Sequence, residues 1–368
     1  MYSQTDLDDA VASGAITAES AAALRAHFEQ QQATTAVDEE QFRLITGFND
    51  IFVSIAAAIL LFAVGFIGQW IGQNAGMAID GDGPSFLGPV FVAVTAWALA
   101  LFFTAKRRMA LPSILLLLAF VGAVFAATGF AQVLAIGEPP NDQEALYAGI
   151  IGSVSGLVAA IAAWAHWKKF RVPITVATGA AAVAAIAVGL LIAVLGEGAG
   201  QAKNIILGFV LLLGIGTFLF AMWWDSSDRG RLTRRSDVAF WLHLLAAPMI
   251  VHPVFTLLGL NDGNATIGEG FIVLLLYLVI GLTALAIDRR ALLVSALAYV
   301  LYALNELFRQ FGAVELNVAL TALLIGSALL MLSAFWHQAR AMVVRPLPEG
   351  LQARLPLVDR NVASAQAA

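Results

Sequence analysis

Apolar runs of roughly twenty residues, each closed by a short cluster of cations, constrain this chain more than any other feature. At 103–112 the order Phe-Thr-Ala-Lys-Arg-Arg-Met-Ala-Leu-Pro leaves one apolar run, passes three cations and enters a second run behind a proline. The same punctuation returns at Lys168-Lys169-Phe170-Arg171-Val172-Pro173, over 229–235, and at Asp288-Arg289-Arg290. A hydrocarbon core about 30 Å thick is crossed by roughly 20 helical residues rising about 1.5 Å each, so each run has the length of a span. Composition points the same way: 60% of residues are hydrophobic and 12% charged, against roughly a quarter charged in soluble domains. Mean hydropathy is +0.84. The expected fold is an all-α polytopic membrane bundle.

Ten spans are predicted, at 49–72, 87–105, 109–136, 146–167, 172–195, 204–224, 237–260, 269–287, 291–312 and 317–336. The third exceeds the core thickness and must tilt, kink or project. Residues 1–32 read as a helical hairpin: Thr5 or Asp6 caps a first helix, Gly14 ends it in a left-handed conformation, and Thr17 caps a second. Residues 33–48 form a linker and a juxtamembrane helix, 49–336 the transmembrane domain, and 337–368 a disordered cytoplasmic tail. Asp6, Asp8 and Asp9 stand where a signal peptide would be basic, so the N-terminus is expected to be retained.

The cations also predict orientation. All of the 20 Lys and Arg residues except Lys203 and Arg309 fall in the N-terminal segment, the basic turns or the tail. In a ten-span chain these lie on one side, and the positive-inside rule makes that side the cytoplasm, with both termini there. The opposite loops carry Asp80, Asp82, Glu138, Asp142, Glu144, Glu197 and Asp262. Basic turns beginning at Lys106, Lys168, Arg229 and Arg289 recur at nearly constant spacing. Duplicated hairpins explain this, and so do two spans plus two short loops.

Residues for chemistry are few. Cysteine is absent, which removes disulfides, thiolate metal sites and Cys nucleophiles. No cofactor or metal motif is present, and no catalytic one. Gly152-Ser153-Val154-Ser155-Gly156 is only superficially similar to an intramembrane serine protease motif, lacking the glycine expected where Ser153 stands. Asn305-Glu306-Leu307-Phe308-Arg309 lacks one Glu and the spacing of the prenyl-protein protease motif. The densest polar group is in the ninth predicted span: Tyr299, Tyr302, Asn305, Glu306, Arg309 and Gln310. Tyr299, Tyr302 and Glu306 share one helix face, and Glu306 lies about 22 Å from Ala291 along the axis. This group is either a solute or ion site or an ion pair at the outer interface.

His243 and His252, with Pro248 and Pro253, are a second candidate in the seventh span. Nine residues put the two imidazoles on opposite faces of a straight helix. Each either relays protons or hydrogen-bonds a neighbouring span. Gln69, Gln132, Asn204 and Asn317 are expected to hydrogen-bond between helices or to headgroups, and Gly68, Gly72, Gly152 and Gly156 to pack helices closely. The acidic N-terminal hairpin either docks on the basic turns or serves a cytoplasmic protein partner, while the turns themselves also suit anionic lipid. No nucleic-acid partner is indicated.

Leu7 to Phe28, containing Leu-Asp-Asp-Ala-Val-Ala-Ser-Gly-Ala-Ile-Thr-Ala-Glu-Ser, is followed by Phe48-Asn49-Asp50-Ile51-Phe52 and by Gly65 and Gly68-Gln69-Trp70 at the end of the first span. In these first 70 or so residues the chain resembles a group of bacterial inner-membrane proteins that begin with a short cytoplasmic hairpin and continue as many spans. The resemblance implies that architecture and a bacterial inner-membrane location, and brings no functional residues. Two function classes follow: a transporter or channel for a small solute or cation, or a non-transporting scaffold or regulator that presents the hairpin.

Overall fold

Each of the four cation clusters lies in a turn between helices, and each turn holds a non-glycine residue in the left-handed region. These are Arg108 (φ 54°), Arg171 (φ 55°), Arg231 (φ 54°) and Asp288 (φ 57°). Such a residue turns the backbone aside where a helix must end; the Arg171 N–H donates to Trp167 O at 3.1 Å. In the first two turns a proline then opens the next helix, where its missing N–H costs nothing. Pro112 sits in the first turn of one helix and Pro173 immediately precedes another. The recurrence is the geometry of tight reversal, which duplicated and unrelated hairpins share.

In the computed structural model, the described residues are 10–23, 48–231, 233–259, 267–290 and 317–358, with Leu292, Leu293, Leu297, Val300, Leu301 and Leu304 between the last two stretches. They belong to two units, one holding 10–23 and the other 48–358. In the first, Gly14 has φ 74° and Thr17 Oγ1 accepts the Ser20 N–H at 3.1 Å. The remainder of the expected hairpin and nearly all of the linker lie outside the described residues.

The second unit contains α1 (Phe48–Asn74), α2 (Leu87–Phe103), α3 (Ala110–Ile136), α4 (Glu144–Phe170), α5 (Ile174–Leu195), α6 (Lys203–Ser226), α7 (Arg234–Leu257), α8 (Ile267–Ile287), α9 (Asn317–Ala334), α10 (Trp336–Val344) and α11 (Glu349–Gln352). Six of them, α1 and α3 to α7, are long and apolar enough to cross a membrane; α9 and α10, bent by 76° at their junction, make a seventh if counted as one span. The other apolar helices, α2 and the 271–287 part of α8, are shorter. The structure therefore supports six to seven candidate spans, while most of the predicted ninth lies outside the described residues. The exterior is apolar, with Phe48 82%, Phe62 77% and Val194 84% exposed. Contiguous apolar surface of this kind marks a membrane or protein contact.

Successive helices pack as neighbours: α1 with α2, α2 with α3, α3 with α4, α4 with α5, and α6 with α7. Small residues set the closest approaches. A Cβ on Gly68 of α1 would stand 2.6 Å from Leu87 O, and one on Gly189 of α5 would stand 2.7 Å from Gly149 O of α4. The α4 seam runs through Gly149, Ser153 and Gly156, with Ser153 Oγ donating to Ile186 O at 3.2 Å. Gly152, which the sequence singled out, faces open space.

One expectation is corrected outright. The tail after residue 336 is folded through residue 358, not disordered. Trp336, Val344 and Leu355 are buried in one cluster with Ala284, Leu285 and Ile287 around the end of α8. The segment is too short and polar to read as a folding unit, and its apolar residues become useful only against α8.

Candidate functional site

At the end of α6, Asp225 has no solvent exposure. An unpaired carboxylate there would be prohibitive, so partners must converge on it. Arg289, from the turn after α8, spans both oxygens: Nε donates to Oδ2 at 3.2 Å and Nη2 to Oδ1. The same Nη2 also donates to Ser236 O at 3.0 Å and to Ser236 Oγ at 3.2 Å at the start of α7. His243, two turns further along α7, places Nε2 3.3 Å from Asp225 Oδ2, close enough for an ion pair but without hydrogen-bond alignment. Its Nδ1 is buried without a hydrogen-bond partner, and its ring meets Phe218 edge-on at 5.1 Å.

A second carboxylate extends the cluster. Asp288, buried at 4% exposure, accepts from Arg231 Nη1 at 3.0 Å and from Trp336 Nε1 at 2.7 Å. Arg340 Nε of α10 lies 3.8 Å from Asp288 Oδ1. Arg231 Nη2 also donates to Ile287 O and Asp288 O, both at 2.9 Å. Arg340 and one further arginine hold the tail: Arg340 donates to Pro356 O at 2.6 Å and to Leu357 O at 3.0 Å, and Arg229 to Leu355 O at 2.8 Å and Gln352 O at 3.0 Å. Asp228 fixes the intervening loop by accepting from Thr233 N and Oγ1, and Thr233 in turn caps α7.

The result is a layer of buried ion pairs that ties the 227–233 loop, the 288–290 turn, α10 and the 352–357 segment together. It brings the His243 imidazole within 3.3 Å of the Asp225 carboxylate. Among the described residues no group of His, Asp and Glu is placed to hold a metal ion.

The sequence candidates fare unevenly. Tyr299, Tyr302, Asn305, Glu306, Arg309 and Gln310 lie outside the described residues. His243 enters the buried cluster, whereas His252 sits on the exposed side of α7, and α7 runs unbroken past Pro248 and Pro253. Gln69 braces the following loop, donating to Gly83 O and accepting from Ser85 N, each at 2.8 Å. Gln132 reaches across to Ser155 Oγ at 3.2 Å. Ser155 is fully buried in that contact and is not disposed as a nucleophile.

Sequence reasoning missed Asp225, Ser236 and Trp336, and it read Arg231, Asp288 and Arg289 as parts of basic turns that report topology and offer a surface for the hairpin or anionic lipid, not as buried ion pairs. The available signal was weak: an Asp just inside the end of an apolar run, opposite cations that already had an explanation. No known family model, curated protein or solved structure matches the chain.

Proposed function

We propose that this protein is a transporter or channel for a small solute or cation, with ten spans and both termini in the cytoplasm of a bacterial inner membrane. One observation carries the reading: Asp225, His243 and Arg289 come together from three segments, without solvent, beside helices apolar enough to cross a membrane. Ionisable groups buried away from water beside membrane-length helices are expensive, and those that line a bundle interior are characteristically found on ion and solute pathways. In this reading the cluster is an ionic gate that joins α6 and α7 to the turn after α8, and the polar group around Glu306 contributes the binding site. The acidic opposite loops raise the local concentration of cations.

Solute flux in proteoliposomes tests it. Wild type should conduct at least one member of a broad panel of cations and small solutes, and Asp225→Asn, Arg289→Gln and Glu306→Gln should each change the rate. Wild-type vesicles that remain tight to the whole panel would overturn it.

A scaffold reading draws on a different observation, the folding of residues 336–358 onto the ion-pair layer. A protein of that kind would present its N-terminal hairpin to a cytoplasmic partner. It is favoured if flux is absent and a partner binds wild type but not a chain lacking residues 1–32.

A further inference from the structure

Between α8, the residues following Arg290, and the α9–α10 bend lies a half-open cavity of about 130 Å³ walled by four leucines, with Tyr277, Ser333, Arg290 and Trp336 completing the lining. Two of its polar groups are engaged elsewhere: the Arg290 guanidinium carbon stands 4.9 Å from the Trp336 ring centre, and Trp336 Nε1 donates to Asp288 at 2.7 Å. The Tyr277 hydroxyl is not. It is buried and has no hydrogen-bond partner.

Both features cost free energy. Protein interiors pack with few voids larger than a water, and the penalty of a void grows with its volume. A donor taken out of water and left without an acceptor forfeits its desolvation energy. Water is a poor remedy, because it needs two to four polar partners and leucine walls supply none. Apolar cavities of about 150 Å³ stay dry and accept benzene-sized molecules. An occupant of that size that also carries one accepting oxygen removes both costs together.

We propose that this cavity binds a small neutral ring compound bearing one carbonyl oxygen, the ring lying against the leucines and the oxygen accepting from the Tyr277 hydroxyl. The leucine walls make a charged molecule a poor occupant, since it would lose its hydration against them. Neither the charge of Arg290 nor transport enters. Ring binding and solute flux are separate properties, and either can fail alone.

Cyclohexanone and methylenecyclohexane are the probes, alike in shape and differing by an oxygen for a methylene. Each is titrated into the full-length protein in detergent, and binding is read by saturation-transfer NMR against protein-free micelles of the same detergent. Wild type should bind both. Tyr277→Phe should weaken cyclohexanone about fivefold, the worth of one neutral hydrogen bond, and leave methylenecyclohexane unchanged. Comparing each probe with itself across variants cancels its partition into the micelle. Leu329→Trp, which fills the cavity, should abolish binding of both probes while the melting temperature stays near wild type. Wild-type binding of neither probe overturns the proposal. So does a Tyr277→Phe variant that weakens both probes equally or weakens neither, or a folded Leu329→Trp variant that binds as wild type does. If Leu329→Trp fails to fold, the Tyr277→Phe comparison still decides the outcome.

Discussion

Arg289 and Asp225 are 3% and 0% exposed at their side chains, and a charge moved out of water costs several kcal/mol unless a partner compensates it closely. Removing one partner is therefore worse than removing both. Arg289→Met is expected to destabilise by about 3–5 kcal/mol, and adding Asp225→Asn should recover part of the loss in thermal unfolding of the micelle-bound protein. A double variant less stable than the single one would contradict the pairing. Arg108 and Arg231 share a left-handed backbone but have different roles: Arg108 is exposed, while Arg231 holds Asp288. Arg108→Gly should gain about 1 kcal/mol by relieving the backbone penalty, whereas Arg231→Gly should lose about 3 kcal/mol by orphaning a buried carboxylate. In the sequence both are cations of a basic turn. Nothing local distinguishes them, because Arg231 and Asp288 are separated by 57 residues.

Helices are where the sequence was most legible. Long apolar runs punctuated by cations and prolines placed α1, α3, α4, α5, α6 and α7 within a few residues of their observed bounds. Which face of a helix meets its neighbour was less legible. Gly152 and Gly156 looked like the contact stripe of α4, yet the seam uses Gly149, Ser153 and Gly156, because a helix presents residues three and four apart and the partner chooses among several equivalent small-residue rows. Gly149→Ala should cost about 1–3 kcal/mol through overpacking against α5, while Gly152→Ala should be neutral or gain up to about 1 kcal/mol; melting of the two variants side by side checks the seam. The C-terminal segment depends on charge-assisted bonds to backbone carbonyls, each worth about 1.5–3 kcal/mol. Arg229→Ala with Arg340→Ala should thus speed proteolysis within 345–358 by about tenfold or more. Unchanged cleavage would mean that the apolar cluster around Trp336 holds the segment alone.

For the whole molecule, the chain's lack of cysteine makes the proposed ten-span orientation directly testable. Cysteines introduced at Asp82 and Glu197 should react with an impermeant maleimide in intact cells, and those at Lys106 and Lys168 only after permeabilisation. Labelling of both pairs from the same side would refute the topology. By itself the sequence determined an all-helical chain with membrane-length spans, the positions of most helices and the turns between them. Those properties follow from composition and from punctuation within a few residues, since a span is a length of apolar chain and a reversal is a local backbone event. Only the tertiary structure decided that the last two basic turns are buried ion-pair sites, that Asp225 and His243 meet there, and that the tail folds over Trp336. Such pairings join segments tens of residues apart, and a buried charge finds its partner only once neighbouring helices have excluded water from both.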